Sequence, residues 1–200
     1  MRKLIVTTIM SLDGYYEGPG RNVMALPMDG VFDAYNAERL RAAGTLLLGR
    51  STFDGFKGFW PTVADDPGAS PANREISRRN NAIDKVVVSD SISAEETKPW
   101  HDNTRIIRRA DAHEQVAELK RHGDGDILVF GSRTLWSDLL AAGLVDELHL
   151  MIGPVILGCG TPIFDGQPEV TLHPVDVRRW DGSANVLVRY EVAKGAVGHG

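Results

Sequence analysis

Residues 126–164, DILVFGSRTLWSDLLAAGLVDELHLMIGPVILGCGTPIF, constrain this chain most. Ile127-Leu128-Val129-Phe130 is an apolar run too short for a helix and rich in branched and aromatic residues, the pattern of a buried strand. Gly131 ends it. Ser132 stands where a helix N-cap belongs, and Leu135, Trp136, Leu139 and Leu140 follow at three-and-four spacing, which predicts a helix with one buried face. Gly143 stops that helix, and residues 144–152 read as a second strand. Strand, glycine, helix and strand form one crossover unit whose loop, at the strand's carboxyl end, can face a ligand. The amides of Gly131, Ser132 and Arg133 at the helix start would lack partners and suit an anion.

Two hundred residues that are 42% hydrophobic can bury one sizeable core, so a single domain is expected over residues 1–193, with a disordered tail at 194–200. The net charge of −5, with no basic run longer than Arg78-Arg79 or Arg108-Arg109, argues against a nucleic-acid partner. The apolar run in MRKLIVTTIM is too short for a signal-peptide core or a membrane span, so no membrane partner and a cytoplasmic location are expected. Cys159 is the only cysteine; it rules out an intramolecular disulfide and fits a reducing compartment.

Residues 3–10 read as a first strand, buried on both faces because apolar and polar positions barely alternate. Residues 11–27, rich in glycine and proline, are expected to be a long loop and a candidate active-site flap. Residues 29–43 have helical spacing, with Gly44 as terminator, and 45–48 form the next strand. A short helical segment through Phe53 and Phe56 is expected to give way to irregular chain at 60–70. A helix follows at 71–81, then strands at 85–88 and 104–108, a helix at 112–121, and a hairpin from 170–180 and 185–192 joined by Asp181-Gly182-Ser183. This order predicts an α/β fold, a mixed and mostly parallel sheet with helices on both faces and a C-terminal antiparallel hairpin. The exposed sheet edge, with Trp180, Val186 and Val188 near it, is expected to support a homodimer.

Two junctions share one pattern: Gly49-Arg50-Ser51-Thr52 and Gly131-Ser132-Arg133-Thr134 each set a glycine at a strand end, an arginine within two residues and a hydroxyl at a helix start. Helix amides supply directional donors and guanidinium supplies bidentate charge, which together suit a dinucleotide pyrophosphate and an extra ribose phosphate. Alternatively, the glycines merely end strands and the arginines are solvated. Gly158-Cys159-Gly160 lacks the helix that a dinucleotide fingerprint needs and reads as a turn. Cys159 has no basic neighbour that would make it a nucleophile, and the six histidines show no paired ligand spacing, so no metal is expected.

The motifs SLDG, LLLGRSTFDGF, VVVSDSI and GSRTLWSDLLAAGLVDELHLMIGPVILGCGTPIF, in this order, resemble the dihydrofolate-reductase-like family over roughly residues 2–192. The similarity is to the branch that includes the C-terminal reductase domain of bifunctional riboflavin biosynthesis proteins. The resemblance implies a three-layer dihydrofolate-reductase-like fold, a dimer, and NADPH as cofactor. It implies cofactor contacts at Gly49, Arg50, Ser51 and Thr52, at Ser89, and at Gly131, Ser132, Arg133 and Thr134, with Thr8 and Ile9 bordering the nicotinamide. Phe130 and Ser132 depart from the glycine run that folate reductases favour there. Asp33, on spacing alone, corresponds to the family's carboxylate and is the candidate proton donor; it can equally be an ordinary helix-start carboxylate. Asp13, read chiefly as a turn residue holding the flap, joins Tyr16 and Trp60 as the candidate substrate contacts. The expected activity is hydride transfer from NADPH to a C=N or C=O of a pterin- or pyrimidine-like heterocycle. The alternatives are the riboflavin-pathway 5-amino-6-(5-phosphoribosylamino)uracil reductase and a nucleotide-binding domain without turnover.

Overall fold

Apolar runs that do not alternate become the strands of one sheet, because helices cover both of its faces. The structure is a computed structural model that describes residues 1–166 and 169–193; the expected tail at 194–200 lies outside them. The chain runs β1 (Leu4–Ser11), β2 (Tyr15–Glu17), α1 (Gly30–Ala42), β3 (Ala43–Gly49), α2 (Arg50–Val63), α3 (Pro71–Ala82) and β4 (Asp84–Val88). It continues through β5 (Thr104–Ile107), α4 (Ala112–Arg121), β6 (Asp126–Phe130), α5 (Arg133–Ala141) and β7 (Glu147–Gly153). The last strands are β8 (Thr161–Pro162), β9 (Leu172–Arg179) and β10 (Val186–Val192). The eight-stranded sheet has the order β5-β4-β3-β6-β1-β7-β10-β9. Strands β5 through β7 in that order are parallel, and β10 pairs antiparallel with both β7 and β9.

Strand β6 shows how the layers arise. Ile127 and Val129 enter a core with Val116 of α4 and with Trp136 and Leu139 of α5. Leu128 and Phe130 turn the other way, toward Leu40 of α1, Phe53 of α2 and Ile76 of α3. Trp136 and Phe53 are fully buried, each contributing roughly 1.5–3 kcal/mol by transfer from water. The register pairs Gly49 with Val88 and Thr7 with Phe130, so the carboxyl ends of β3, β4 and β6 reach one rim of the sheet. The starts of α2 and α5 meet there.

Four local expectations are corrected. Gly44 does not end α1; it lies inside β3, where an added Cβ would sit 1.9 Å from the Asp124 carbonyl oxygen. The helix after Gly49 continues to Val63 across Pro61 instead of breaking at Trp60. Tertiary partners hold that end: Ser77 Oγ accepts from the Ala64 amide and donates to the Trp60 carbonyl, and Asn81 Nδ2 donates to the Pro61 carbonyl. Residues 11–27 are not one open loop, because β2 pairs antiparallel with β8. Trp180 does not stand at the sheet edge but packs edge-on against Tyr35, with ring centroids 6.4 Å apart. The outer strand β9 instead exposes Val175 and Val177. No helix among the described residues is long and apolar enough to cross a membrane.

Candidate functional site

The two glycine junctions are fastened to each other. The Gly49 amide donates to Ser132 Oγ at 3.1 Å, and the Ser132 amide donates to Thr52 Oγ1 at 3.1 Å. Ser132 occupies the N-cap position of α5, but its side chain does not cap the helix. Both Gly131 and Ser132 have φ near 51°, and this left-handed pair turns the serine hydroxyl toward β3 instead of toward its own helix. The first amides of α2 and α5, which lack intrahelical partners, therefore stand side by side at the sheet rim.

A cleft of about 760 Å³ opens over this pair of helix starts. Gly49, Arg50, Ser51 and Thr52 line it from one junction, and Ser132, Arg133 and Thr134 from the other. Tyr16, Glu17 and Arg21 come from the flap, Arg109 from the link between β5 and α4, His113 from the first turn of α4, and Asp138 from α5. Sequence reasoning assigned no role in a cofactor site to Glu17, Arg21, Arg109, His113 or Asp138. The signal available was the third strand-to-helix junction, after β5, with its Arg108-Arg109 pair.

The arginines differ in how firmly they are held. Arg50 donates to Asp54 Oδ2 at 2.5 Å and to Glu96 Oε1 at 2.7 Å; these bonds, that to Asp54 first, raise its pKa. Glu96 is drawn down to about 2 by the Ser93 amide and then by Arg50. Arg133 and Arg109 are held loosely, with Asp165 at 3.7 Å and Asp90 at 3.6 Å respectively. Arg133 Nε is buried and has no hydrogen-bond partner among the described residues. Either loose guanidinium can turn to an anion with little rearrangement, whereas Arg50 would have to leave two carboxylates. Gly131 lies beneath the cleft's lining, and a Cβ there would lie 2.9 Å from the Tyr16 hydroxyl.

The other candidate residues lie away from the cleft's lining. Ser89, 2% exposed, sits behind Val88, with its hydroxyl accepting from the amides of Ser91 and Ile92. Thr8 and Ile9 are buried in β1, beside Leu150 and Met151 of β7. Asp13 accepts from the amides of Leu157 and Gly158, at 3.1 and 2.7 Å, and so ties the flap's base to the segment after β7. Its pKa is lowered by the Ser11 hydrogen bond first and then by these amides, opposed by desolvation. Trp60 joins an aromatic group with Phe56 and Phe59, and Phe56 in turn meets Phe130. Asp33 lies in the first turn of α1, where burial raises its pKa and a hydrogen bond from Asn73 partly offsets that. Because α1 runs into the start of β3, its first turn lies at the same end of the sheet as the cleft.

The family model described as the RibD C-terminal domain matches residues 2–186. The uncharacterised protein YyaP of Bacillus subtilis (strain 168) is 30% identical over 188 residues, 94% of each chain. A putative riboflavin biosynthesis protein from Shewanella sp. PV-4 superposes with a TM-score of 0.66 at 18% identity, covering 96% of this chain and 99% of that one. Dihydrofolate reductase from Enterococcus faecalis, solved with NADP(H) and RAB-propyl, superposes with a TM-score of 0.54 at 16% identity, covering 95% and 96%. The fold is dihydrofolate-reductase-like.

Proposed function

We propose that this chain, which belongs to the RibD C-terminal domain family, is an NADPH-dependent reductase acting on a C=N or C=O of a pterin- or pyrimidine-like heterocycle. One observation carries the reading: two helix starts, fastened through Ser132 and Thr52, face a cleft edged by four arginines. Their amides suit a pyrophosphate. The unpartnered Nε of Arg133 supplies a charged donor already desolvated. Arg133 is therefore the first choice for a phosphate contact, with Arg50 second because Asp54 and Glu96 hold it.

When bound, the nicotinamide supplies the hydride. The chain's own residues bind, orient and shield. A bound nicotinamide would be bordered by Thr8 and Ile9 of β1, and Asp13 and Tyr16 of the flap would shield it from water. Asp33 is the carboxyl we assign to holding the proton, because burial keeps it protonated to higher pH than an ordinary aspartate. The test is NADPH oxidation followed by absorbance with a panel of dihydropterins and aminopyrimidines, including a ribosylamino-pyrimidine phosphate. Turnover on one of them supports the reading and separates pterin from riboflavin-type substrates. Tight NADPH binding without turnover on any would favour a nucleotide-binding domain, and no binding would overturn the cleft's assignment.

A further inference from the structure

We infer that Tyr16 is the residue by which the flap grips the bound dinucleotide, its hydroxyl donating a hydrogen bond to a phosphate oxygen seated at the Gly131–Arg133 turn. This rests on the cofactor reading of the cleft given above. The backbone around Tyr16 is fixed on both sides: the Tyr15 amide donates to Ser11 Oγ at 2.8 Å, and the Ile163 amide donates to the Gly14 carbonyl at 2.8 Å. Thr161 Oγ1 donates to Glu17 Oε1 at 2.7 Å across the β2–β8 pair. Alternation along β2 then sends Tyr16 inward, where its ring packs against the core that holds Trp136.

That ring delivers its hydroxyl to the glycine turn. A Cβ on Gly131 would meet the Tyr16 hydroxyl at 2.9 Å and Thr52 Oγ1 at 3.6 Å, so both hydroxyls border the space in front of the left-handed pair. Thr52 Oγ1 is already an acceptor for the Ser132 amide. Among the described residues, none accepts a hydrogen bond from Tyr16. A half-buried donor held beside two helix starts and an arginine, with no acceptor among the described residues, matches an anionic acceptor brought by a ligand. The hydroxyl stays protonated throughout the working range, because burial, with a smaller push from Glu17, takes it up to about 12. It therefore donates to phosphate and does not repel it.

Tyr16→Phe removes only the hydroxyl. Titration with NADPH should show roughly tenfold weaker binding, the loss of one hydrogen bond to a charged group. The melting temperature of the unliganded chain should not move, because no hydrogen bond to a described residue is lost. Tyr15→Phe, whose hydroxyl reaches, among the described residues, only the Gly158 carbonyl at 3.5 Å, should keep wild-type affinity. Equal NADPH affinity in wild type and Tyr16→Phe would overturn the inference and leave the cofactor reading standing. So would unchanged affinity with a lower turnover number, which would move Tyr16 to the substrate. A wild-type chain that does not bind NADPH would instead overturn the cofactor reading, and the role of Tyr16 with it.

Discussion

Replacing Thr52 by valine removes one acceptor and almost no volume. The Ser132 amide, now bonded to Thr52 Oγ1 at 3.1 Å, would be left without a partner in a half-buried turn. An unsatisfied buried donor costs about 1–3 kcal/mol. For a chain of 200 residues that corresponds to a fall in melting temperature of about 2–12 °C. Ser132 already holds a left-handed backbone with φ of 51°, so loss of this bond should also loosen the turn and spread the two helix starts. NADPH affinity should then fall together with stability. Thermal melting and NADPH titration of Thr52→Val, beside Thr52→Ser as the control that keeps the oxygen, provide the comparison. A valine variant with the melting point and affinity of wild type would refute the idea that this bond sets the cleft's geometry. Loss in both variants alike would point instead to packing of the threonine methyl.

Lys85 is 1% exposed, and burial lowers its pKa to about 7; its ammonium donates to the Ile83 carbonyl and lies 4.4 Å from the centre of the Trp100 ring. A depressed lysine stabilises the fold above its unfolded value of 10.5 and loses that contribution as pH falls through about 7. Lys85→Met should therefore raise stability most at mildly acid pH, by urea denaturation, and a gain that grew toward alkaline pH would contradict this. His149 is fully buried, with Tyr35 Oη and Glu147 Oε2 each at 2.7 Å, and burial lowers its pKa from 6.5 to about 4. Its contribution is present above 6.5 and is lost as pH falls toward about 4, so wild-type stability should decline across that window and His149→Gln should flatten the decline. A homodimer through the β9 edge is our proposal for the exposed pair Val175 and Val177. Light scattering should then give about twice the chain mass of 21.8 kDa. Val177→Asp should restore the single mass without unfolding, and a wild-type monomer would defeat the proposal.

That the two glycine junctions would meet at one cleft was legible because it depends on where strands stop. Gly49 and Gly131 each follow a run of apolar residues and precede a helix, and parallel pairing brings such junctions to one rim whatever the intervening chain does. Partners distant in sequence were not legible. The sequence offers Arg50 as a phosphate contact or a solvated side chain, but Glu96, 46 residues away, faces it. Ser132 has the residue type of a cap, yet the positive φ it shares with Gly131 points its hydroxyl at Gly49. Pro61 reads as a helix breaker, and only the side chains of Ser77 and Asn81 show why the helix passes through it. The type of Ser89 does not show that its hydroxyl also accepts from the Ser91 and Ile92 amides in the turn after β4.

Calorimetric titration of the wild-type chain with NADPH and with NADH tests the central claim most directly. Charge-assisted contact of the extra phosphate with Arg133, Arg109 or Arg50 contributes about 1.5–3 kcal/mol. NADPH should therefore bind at one site per chain and roughly tenfold or more tighter than NADH. Equal dissociation constants, or no NADPH binding at millimolar concentration, would contradict it.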